Sequence, residues 1–487
     1  MVVKKVKLIE KIKSWFNRGG VAVSMGKTYR SILDHPKINM DKKEYKRITE
    51  NLRIYRGEYP NIKYLNSRGA TKERPYMSLN MMKSVAETLA DVVFNEKCKI
   101  EIDILEANEF ITRTFNENNF IKNFSKYLEP MFALGGLAVR PYSDANDDYK
   151  IKFSWVQANA FFPLESNTNQ INECALATTT TIENKETYYY TLLEFHEWLN
   201  GEYVITNELY KSDRSGVLGK EVPLSSLAIY QDLSRQSAIR NLSRPNFCYL
   251  KPNTFNNLNP QSSLGLGLTD NCKDTLTQIS DTYDAFHWEI KMGERKVVVT
   301  DGMLKTRLDE NGNPIQTFDD KTNIFLAVRG EINDKSLVQD ITLDIRSKQY
   351  IESINNFIRT LEMQTKISDG TFSFNGDGVQ KTATEVIAEN SMTFRTRSKQ
   401  LIEVENFLKN LIISILELAQ ATTNADGSRL YTGNIPTLED IGVNFDDGAF
   451  TDKTTKLEHY SKAVKSGFMP RIEAIQRAMQ VPEETAR

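Results

Sequence analysis

The sequence has no hydrophobic run of the length that a membrane-spanning helix needs. No stretch approaches about 18 consecutive apolar residues. The N-terminus also lacks the small-residue cleavage site that ends a secretory signal peptide. We therefore expect no transmembrane span and no membrane partner.

Cysteine and histidine are scarce, with four of each. They are Cys98, Cys174, Cys248, Cys272, His35, His196, His287 and His459. No C-x-x-C pair occurs, and each cysteine lies in or beside an apolar run, which is typical of buried free thiols in a reducing compartment. No His/Cys cluster has the spacing of metal ligands, so we expect no structural zinc and no other cofactor.

The chain also lacks an excess of positive charge. Its 62 Lys and Arg against 64 Asp and Glu give a net charge of -2. Proteins that grip duplex DNA without sequence preference are usually basic, so any contact with nucleic acid must be made without a global positive field. The length of 487 residues predicts two or more domains.

A complete phosphate-binding loop is missing. Gly26-Lys27-Thr28 has the form of the end of such a loop. The motif needs a glycine five residues before the Gly-Lys pair, where this chain has Val21, and Gly20 is one place too early. A basic amphipathic segment precedes it instead of a buried strand. ATP binding is therefore not expected here.

That basic segment covers residues 3–16 and has the pattern of an amphipathic helix. Val6, Ile9, Ile12 and Phe16 fall on one face, with lysines elsewhere. A membrane-surface helix has this pattern. So does a helix docked on a neighbouring subunit with its lysines in water, which we favour.

Residues 41–250 combine helices with strands. The patterns predict helices at 41–55, 77–95 and 121–134, a polar loop at 61–76, and strands at 97–104, 138–142, 149–156, 175–181, 188–196, 202–209 and 247–250. We predict a mostly antiparallel β layer on a helical frame. Tyr188, Tyr189 and Tyr190 could form a base-stacking platform, but aromatic residues are good strand formers and that simpler interpretation is favoured.

An acidic helix is predicted at 268–293, after a linker at 251–267. Its acidic residues include Asp270, Asp274, Asp281, Asp284 and Glu289. Such residues could serve in general acid–base catalysis. The sequence positions no partner for them, so a solvated helix face is the favoured interpretation.

A small β-rich insertion is predicted at 296–345. Strands are expected at 297–300, 324–328 and 341–345, with a hairpin turn centred on Asn311-Gly312. An insertion of this size does not form a full core alone. It should pair with copies of itself or lie against a partner.

Residues 346–419 have the pattern of a helix, a glycine-rich loop and a long helix. The first helix has its apolar face at Ile351, Ile354, Ile358 and Leu361, and the long helix has its own at Leu401, Val404, Leu408, Leu411, Ile415 and Leu418. Gly370, Gly376 and Gly378 interrupt the pattern around Phe372 and Phe374. Thr382 and Glu385 have the spacing of a capping box. A loop held between two such helices suits a lever or a finger.

The chain resembles the portal proteins of tailed phages. The motifs that carry the resemblance are residues 76–83 (YMSLNMMK) with 86–87 and 93–96, 281–289 (DTYDAFHWE) with Gly293, 370–374 (GTFSF), 381–386 (KTATEV) with 389–391, and 443–447 (VNFDD). It is most similar to portals of long-tailed phages of Gram-positive bacteria, in the group related to phages SPP1 and A118. The order and spacing of the motifs cover nearly the whole chain.

The resemblance implies an α+β portal fold with an α/β wing, a two-helix stem, a small β-rich clip, a tunnel loop and a helical C-terminal crown. The implied ranges are 1–76 for an N-terminal helical arm of the wing, 77–267 for the wing, 268–295 for the first stem helix, 296–345 for the clip, 346–367 for the second stem helix, 368–381 for the tunnel loop, 382–447 for the long wing helix and a β segment, and 448–487 for the crown.

The resemblance also implies a function. A ring at one capsid vertex, commonly dodecameric, would form the channel for double-stranded DNA during packaging and ejection. Implied partners are the major capsid protein, a scaffold protein, the terminase large subunit and the head–tail adaptor. The protein would assemble in the host cytoplasm, remain in the virion and catalyse no reaction itself.

Candidate residues follow from this assignment. Tunnel-loop residues that could touch DNA are Phe372, Phe374, Asn375, Gln380 and Lys381, with hinges at Gly370, Gly376 and Gly378, and channel-lining candidates are Asp270, Asp274, Asp281, Asp284 and Glu289. For Phe372 and Phe374 we favour packing between subunits over direct DNA contact. Two alternatives to a portal remain: another ring-forming head–tail protein, usually much shorter, and a soluble enzyme that uses the acidic helix.

Overall fold

The computed structural model describes most of the chain. The described residues are 28–65, 70–94, 97–145, 147–167, 170–183, 185–293, 297–300, 305–308, 312, 314–317, 325–328, 338–340, 344–372, 391–424, 426–445 and 460–479. The predicted helix at 3–16 and the capping pair Thr382 and Glu385 lie outside them. So do the candidate residues Phe374, Asn375, Gly376, Gly378, Gln380 and Lys381.

The helices of the described residues are α1 Lys42–Tyr55, α2 Met81–Val93, α3 Leu105–Glu117, α4 Phe120–Leu134, α5 Lys273–Met292, α6 Ser347–Thr365, α7 Ser391–Ala421 and α8 Arg471–Met479. Familiar capping signals mark several of their ends. The Asp41 carboxylate accepts a bond of 2.8 Å from Lys43 N at the start of α1. Gly135, with φ 90°, ends α4 in the left-handed conformation that favours glycine.

Helix α3 was not predicted from the sequence. It begins at Leu105 directly after a strand, and its first turn has no capping side chain because Ile104 occupies that position. The usual start signal is therefore missing. Its buried face, with Phe110, Ile111 and Phe115, packs into the main core.

The strands are β1 Thr28–Tyr29, β2 Ile62–Leu65, β3 Thr71–Arg74, β4 Lys99–Ile102, β5 Leu137–Asp144, β6 Lys150–Gln157, β7 Phe161–Pro163, β8 Cys174–Glu183, β9 Thr187–Leu199, β10 Glu202–Ser212, β11 Gly219–Val222, β12 Gln236–Ile239, β13 Cys248–Leu250, β14 Val297–Thr300, β15 Lys305–Leu308, β16 Pro314–Thr317, β17 Phe325–Val328, β18 Val338–Asp340 and β19 Ile441–Asn444. The largest sheet has the order β1-β11-β10-β9-β8-β7, with β12 also paired to β10. Its pairings are antiparallel, which confirms the predicted β layer.

One prediction in this region needs correction. The polar loop at 61–76 contains the hairpin β2–β3, which Lys63 and Glu73 link across the strands. The favoured interpretation of Tyr188, Tyr189 and Tyr190 as strand residues is confirmed, since all three lie in β9. Tyr190 is buried, and Lys211 Nζ lies 3.7 Å from the ring centroid of Tyr188. These rings serve packing within the sheet.

Helix α7 is the centre of the main hydrophobic core. The predicted apolar face is buried at Val404, Leu408, Leu411, Ile415 and Leu418. In its C-terminal half the opposite face is covered as well, with Ile412 and Leu416 also buried. The helix runs between α2, α3, β5, β13 and β19, and the sustained apolar partner that its period required is thus supplied within the subunit.

The β insertion between α5 and α6 partly matches its prediction. Strands β15 and β16 form the hairpin across Asn311-Gly312, and β17 pairs with β14 in parallel. The third strand is β18, a few residues before the predicted 341–345, and it pairs antiparallel with β14. In the C-terminal part, residues 460–465 and α8 are helical, as predicted for that region.

Candidate functional site

Helices α5 and α6 form an antiparallel pair. At one end Thr275 Oγ1 donates a bond of 2.9 Å to Gln364 Oε1. At the other end the rings of Phe286 and Tyr350 stack with centroids 5.2 Å apart. The insertion joins the helices at this second end, and residues 366–372 leave α6 at the first. We refer to α5 and α6 together as the helix pair.

A buried ionic network holds the base of α5. Arg47 Nη1 donates a bond of 2.5 Å to Asp270 Oδ2, and Arg47 Nη2 donates one of 2.8 Å to Glu44 Oε2. Asp270 also accepts bonds from Asn51 Nδ2 at 2.9 Å and from Gly267 N at 2.7 Å. Burial alone would lower the pKa of Arg47, but the charge of Asp270 and the bonds with Glu44 outweigh it and keep that pKa above its ordinary value.

Close backbone contacts at glycines support the same base. A Cβ added at Gly267 would lie 2.3 Å from Ala133 O, and one at Gly265 would lie 2.4 Å from Gly135 O. Leu268 N donates a bond of 2.9 Å to Phe132 O, and α5 starts at Lys273, after the predicted residue 268. The segment before α5 therefore lies directly on the end of α4.

The hairpin β2–β3 contacts the C-terminal half of α5. Arg74 Nη1 and Nη2 donate two bonds of 2.6 Å to the Asp284 carboxylate, which accepts a third, of 3.0 Å, from Met77 N. The Arg74 guanidinium lies 4.6 Å from the ring centroid of Trp288. Burial alone would raise the pKa of Asp284, but the bonds from Arg74 and Met77 outweigh it and the pKa lies below its ordinary value.

Glu289 joins α5 to the start of α6 beside the insertion. Its carboxylate accepts bonds from Arg346 Nη2 at 2.6 Å, Arg346 N at 2.9 Å and the Tyr350 hydroxyl at 2.9 Å. The bonds from Arg346 lower the pKa of Glu289 to about 2. This cluster closes the end of the helix pair from which the insertion extends.

These contacts correct the interpretation of α5 as a solvated acidic face. Asp270 and Asp284 are buried in ion pairs within their own subunit, and Glu289 is paired with Arg346. Asp274 and Asp281 are exposed, the latter accepting a bond of 2.7 Å from the Tyr76 hydroxyl. The carboxylates of Asp270 and Asp284 face the subunit interior, so they do not contribute to an exposed channel-lining surface.

The Glu289 cluster predicts a dependence of stability on pH. Because the folded-state pKa of Glu289 lies below its ordinary value of 4.5, its contribution is complete above that value and is lost as the pH falls toward about 2. The substitution Glu289→Gln should lower the melting temperature at about pH 6, and its difference from the unaltered protein should shrink by about pH 3.

Glu352→Gln is the matched control for this measurement, since Glu352 is exposed on α6 and lies 4.0 Å from Lys348. It should change the melting temperature little at either pH. A Glu289→Gln difference that stayed the same at both pH values would show that the ionic bonds do not carry the effect.

The root of the predicted tunnel loop is tied to α6 and α7. We define the loop root as residues 366–372 with 391–397. Glu362, which is 1% exposed, accepts bonds from Gly370 N at 2.9 Å and Phe372 N at 2.8 Å. Ser368 N donates to Thr393 Oγ1 at 2.9 Å, and Thr393 N donates back to Ser368 Oγ at 3.2 Å.

Two candidate residues lie in this root. Gly370 has φ 82°, with open space where a Cβ would project. Phe372 is half-buried and packs against the main core of its own subunit. Sequence reasoning missed Glu362, although a carboxylate between Leu361 and Thr365 on a buried helix face was a visible signal.

The part of the chain that the structure describes contains no group of three or more His, Cys, Asp and Glu side chains that could hold a metal ion. Within the same residues no helix is long and apolar enough to cross a membrane. Cys174, Cys248 and Cys272 are buried free thiols, as predicted, and Cys98 is half-buried. Burial raises the pKa of Cys248 and of Cys272 to about 12.

A family model described as "Phage portal protein, SPP1 Gp6-like" matches residues 34–486. The chain belongs to this family of phage portal proteins. The protein is thus a structural component of the virion, in its head–tail connection, where portal subunits form a ring. Family membership confirms the resemblance to phage portal proteins and favours the portal over the two alternatives.

Solved structures similar to this portal protein come from a gene transfer agent (GTA). A chain of the "virion of native gene transfer agent (GTA) particle" is 9% identical with a TM-score of 0.43, over 89% of this chain and 93% of that one. A chain of the "neck of empty GTA particle computed with C6 symmetry" is 8% identical with a TM-score of 0.42, over 82% and 89%. No curated protein matches the sequence.

Proposed function

We propose that this portal protein forms a dodecameric ring at one capsid vertex and that double-stranded DNA passes through its channel during packaging and ejection. The observation that carries the proposal is the helix pair. Buried ion pairs fix it to the body at Asp270 and Asp284, and it holds the β insertion at its far end. Because the pair cannot swing freely on the body, it suits the wall of a rigid passage.

The parts of the subunit then take the roles that the family resemblance implies. We assign the body up to residue 267 to the wing with its N-terminal arm, 268–295 and 346–367 to the stem, 296–345 to the clip, 368–381 to the tunnel loop, 382–447 to the long wing helix with its β segment, and 448–487 to the crown. The antiparallel helix pair supports this division, since it sets the clip and the loop root at opposite ends of the stem.

A packaging channel must let DNA slide, so its wall should not bind phosphate tightly. Contacts between basic side chains and phosphate dominate DNA affinity. The guanidinium groups of Arg47, Arg74 and Arg346 are engaged by carboxylates of the same subunit. Asp274 and Asp281 stay exposed on α5 and would repel phosphate wherever they face the passage. This charge distribution suits weak, transient contact.

The tunnel loop would supply such contacts. We assign weak DNA contact to Asn375, Gln380 and Lys381, and packing between subunits to Phe374, with Gly370, Gly376 and Gly378 as hinges. Phe372 is a weaker candidate for DNA contact, because its ring packs on the core of its own subunit. Lys381 is the one member of this set with a positive charge for phosphate.

The remaining partners are proposed from the family. The clip would dock the terminase large subunit, which hydrolyses ATP as a separate protein, and later the head–tail adaptor. The wing would meet the major capsid protein and a scaffold protein during assembly in the host cytoplasm. The incomplete phosphate-binding motif at Gly26-Lys27-Thr28 supports a portal that is not itself an enzyme.

Complementation of a portal-deficient phage tests the proposal. The purified protein should form rings with an axial hole in negative-stain images and should restore DNA-filled heads. The same chain lacking residues 373–378 should assemble equally well but retain less DNA. A stable 55.8 kDa monomer with no tendency to assemble would contradict the proposed ring. Unchanged DNA retention by the shortened chain would contradict the proposed contact between the tunnel loop and DNA, but not the proposed ring.

A further inference from the structure

We propose that Glu362 is a positioning residue, which fixes the direction in which the chain leaves α6 toward residues 373–390. Its two carboxylate oxygens hold two separate backbone N–H groups of the loop root, those of Gly370 and Phe372. This inference rests on the proposed function, because it assigns the segment that follows to the channel.

The location of Glu362 is costly for a carboxylate. It lies near the C-terminus of α6, where the helix dipole disfavours negative charge. It is 1% exposed, and within the described residues it forms no ion pair. Burial raises the pKa of Glu362, against the opposing effect of the bonds from Phe372 and Gly370. An apolar side chain of similar size would fill the space without these costs.

Unlike an apolar side chain, the Glu362 carboxylate provides two hydrogen-bond acceptors that face the chain leaving α6. Residues 366–372 leave the helix after Lys366, whose φ of 60° turns the backbone out of the helical path. Ile367 N donates back to Glu362 O at 3.0 Å, so the Glu362 backbone holds the turn and its side chain holds the residues beyond it. The two N–H groups that bond to this charged acceptor are two residues apart, so together they set both the position and the direction of residues 370–372.

A second clamp ties the loop root to α7. Ser368 and Thr393 exchange backbone-to-side-chain bonds, and Thr396 Oγ1 donates a bond of 2.8 Å to Lys366 O. The points at which residues 373–390 leave and rejoin the described structure are therefore linked to each other and to the helix pair. Glu362 fixes the residues that lead away from α6, and the Ser368–Thr393 clamp fixes the distance between these residues and the start of α7.

Amide hydrogen exchange on assembled rings tests the inference. Glu362→Gln keeps the side-chain shape but replaces one acceptor oxygen by an NH₂ group, which cannot accept the backbone N–H facing it. Exchange at whichever of the Gly370 and Phe372 amides faces the new NH₂ group should then accelerate by about tenfold or more, since its bond to a charged acceptor is lost. Peptides from the core of α7 should exchange as before.

Glu352→Gln is the matched control, an exposed acidic residue on the same helix, and should leave exchange at residues 370–372 unchanged. If Glu362→Gln fails to assemble, Glu362→Met fills the same space without polar atoms and should give rings with the same fast exchange. Failure of both variants to assemble would assign Glu362 to folding alone and overturn the inference.

The functional arm uses the same variant in the complemented phage. Rings with Glu362→Gln should be incorporated into phage heads as the unaltered rings are, but these heads should retain less DNA. Unchanged exchange at Gly370 and Phe372 would overturn the inference directly. Fast exchange with normal DNA retention would overturn the link to the channel while leaving the portal function intact. If the unaltered protein formed no ring, the proposed function would fail, and exchange on the free subunit would still decide the role of Glu362.

Discussion

Arg47→Ala should destabilise the subunit by about 3–5 kcal/mol, the usual loss when one partner of a buried ion pair is removed. The substitution leaves the carboxylates of Asp270 and Glu44 in a buried site without their guanidinium. Lys273, whose ammonium lies 3.5 Å from Asp270 and is partly exposed, compensates incompletely. The free energy of unfolding, measured by denaturant titration at equal protein concentration, checks the prediction.

Arg53→Ala is the control on the same helix. Arg53 is exposed on α1, so its removal should change the free energy of unfolding by about 0.5 kcal/mol at most. Equal effects of the two substitutions would show that the Arg47 network is not what holds α5 to the body. A much larger effect of Arg47→Ala would show that the Arg47 network fixes the start of α5 on the body of the subunit.

Gly267→Ala should have the second large effect, a destabilisation of about 1–3 kcal/mol from overpacking. The new Cβ would lie 2.3 Å from Ala133 O, far inside contact distance. That oxygen belongs to the last turn of α4, so it can move only if the helix end moves with it. The expected result is a lower free energy of unfolding together with faster amide exchange at Leu268, whose N–H bonds to Phe132 O.

Gly442→Ala serves as the opposite case. A Cβ at Gly442 in β19 would meet Glu101 O at 3.7 Å, an ordinary van der Waals distance. The loss of unfolded-state entropy should then make this variant as stable as the original or up to about 1 kcal/mol more stable. If both alanine variants behaved alike, the close contact at Gly267 would not be the cause of the effect.

Local pattern in the sequence was enough for much of the secondary structure. The apolar period predicted α6 and α7, Asn311-Gly312 predicted the turn between β15 and β16, and alternating strands predicted the antiparallel sheet. These features depend on which face of a helix or strand is buried and on turn chemistry, both of which are written within a few residues. The motif order was likewise sufficient to indicate the portal family.

The roles of the acidic residues could not be predicted in that way. Asp270 lies just before α5 and Asp284 lies on it, at positions that the sequence pattern alone cannot distinguish from those of a solvated face. Their partners Arg47 and Arg74 lie 223 and 210 positions away in the sequence. Only the chain topology brings α1 and the hairpin β2–β3 against α5, and only then does burial turn a carboxylate from a surface charge into half of an ion pair.

The sequence by itself thus determined α6, α7, the antiparallel β layer and the family, but not helix α3 or the hairpin β2–β3. The tertiary structure alone decided which charges are internal ties and how Glu362 holds the loop root. The physical reason is range. Amphipathic period and turn preference act over a few residues, whereas the environment of a carboxylate depends on every element packed around it.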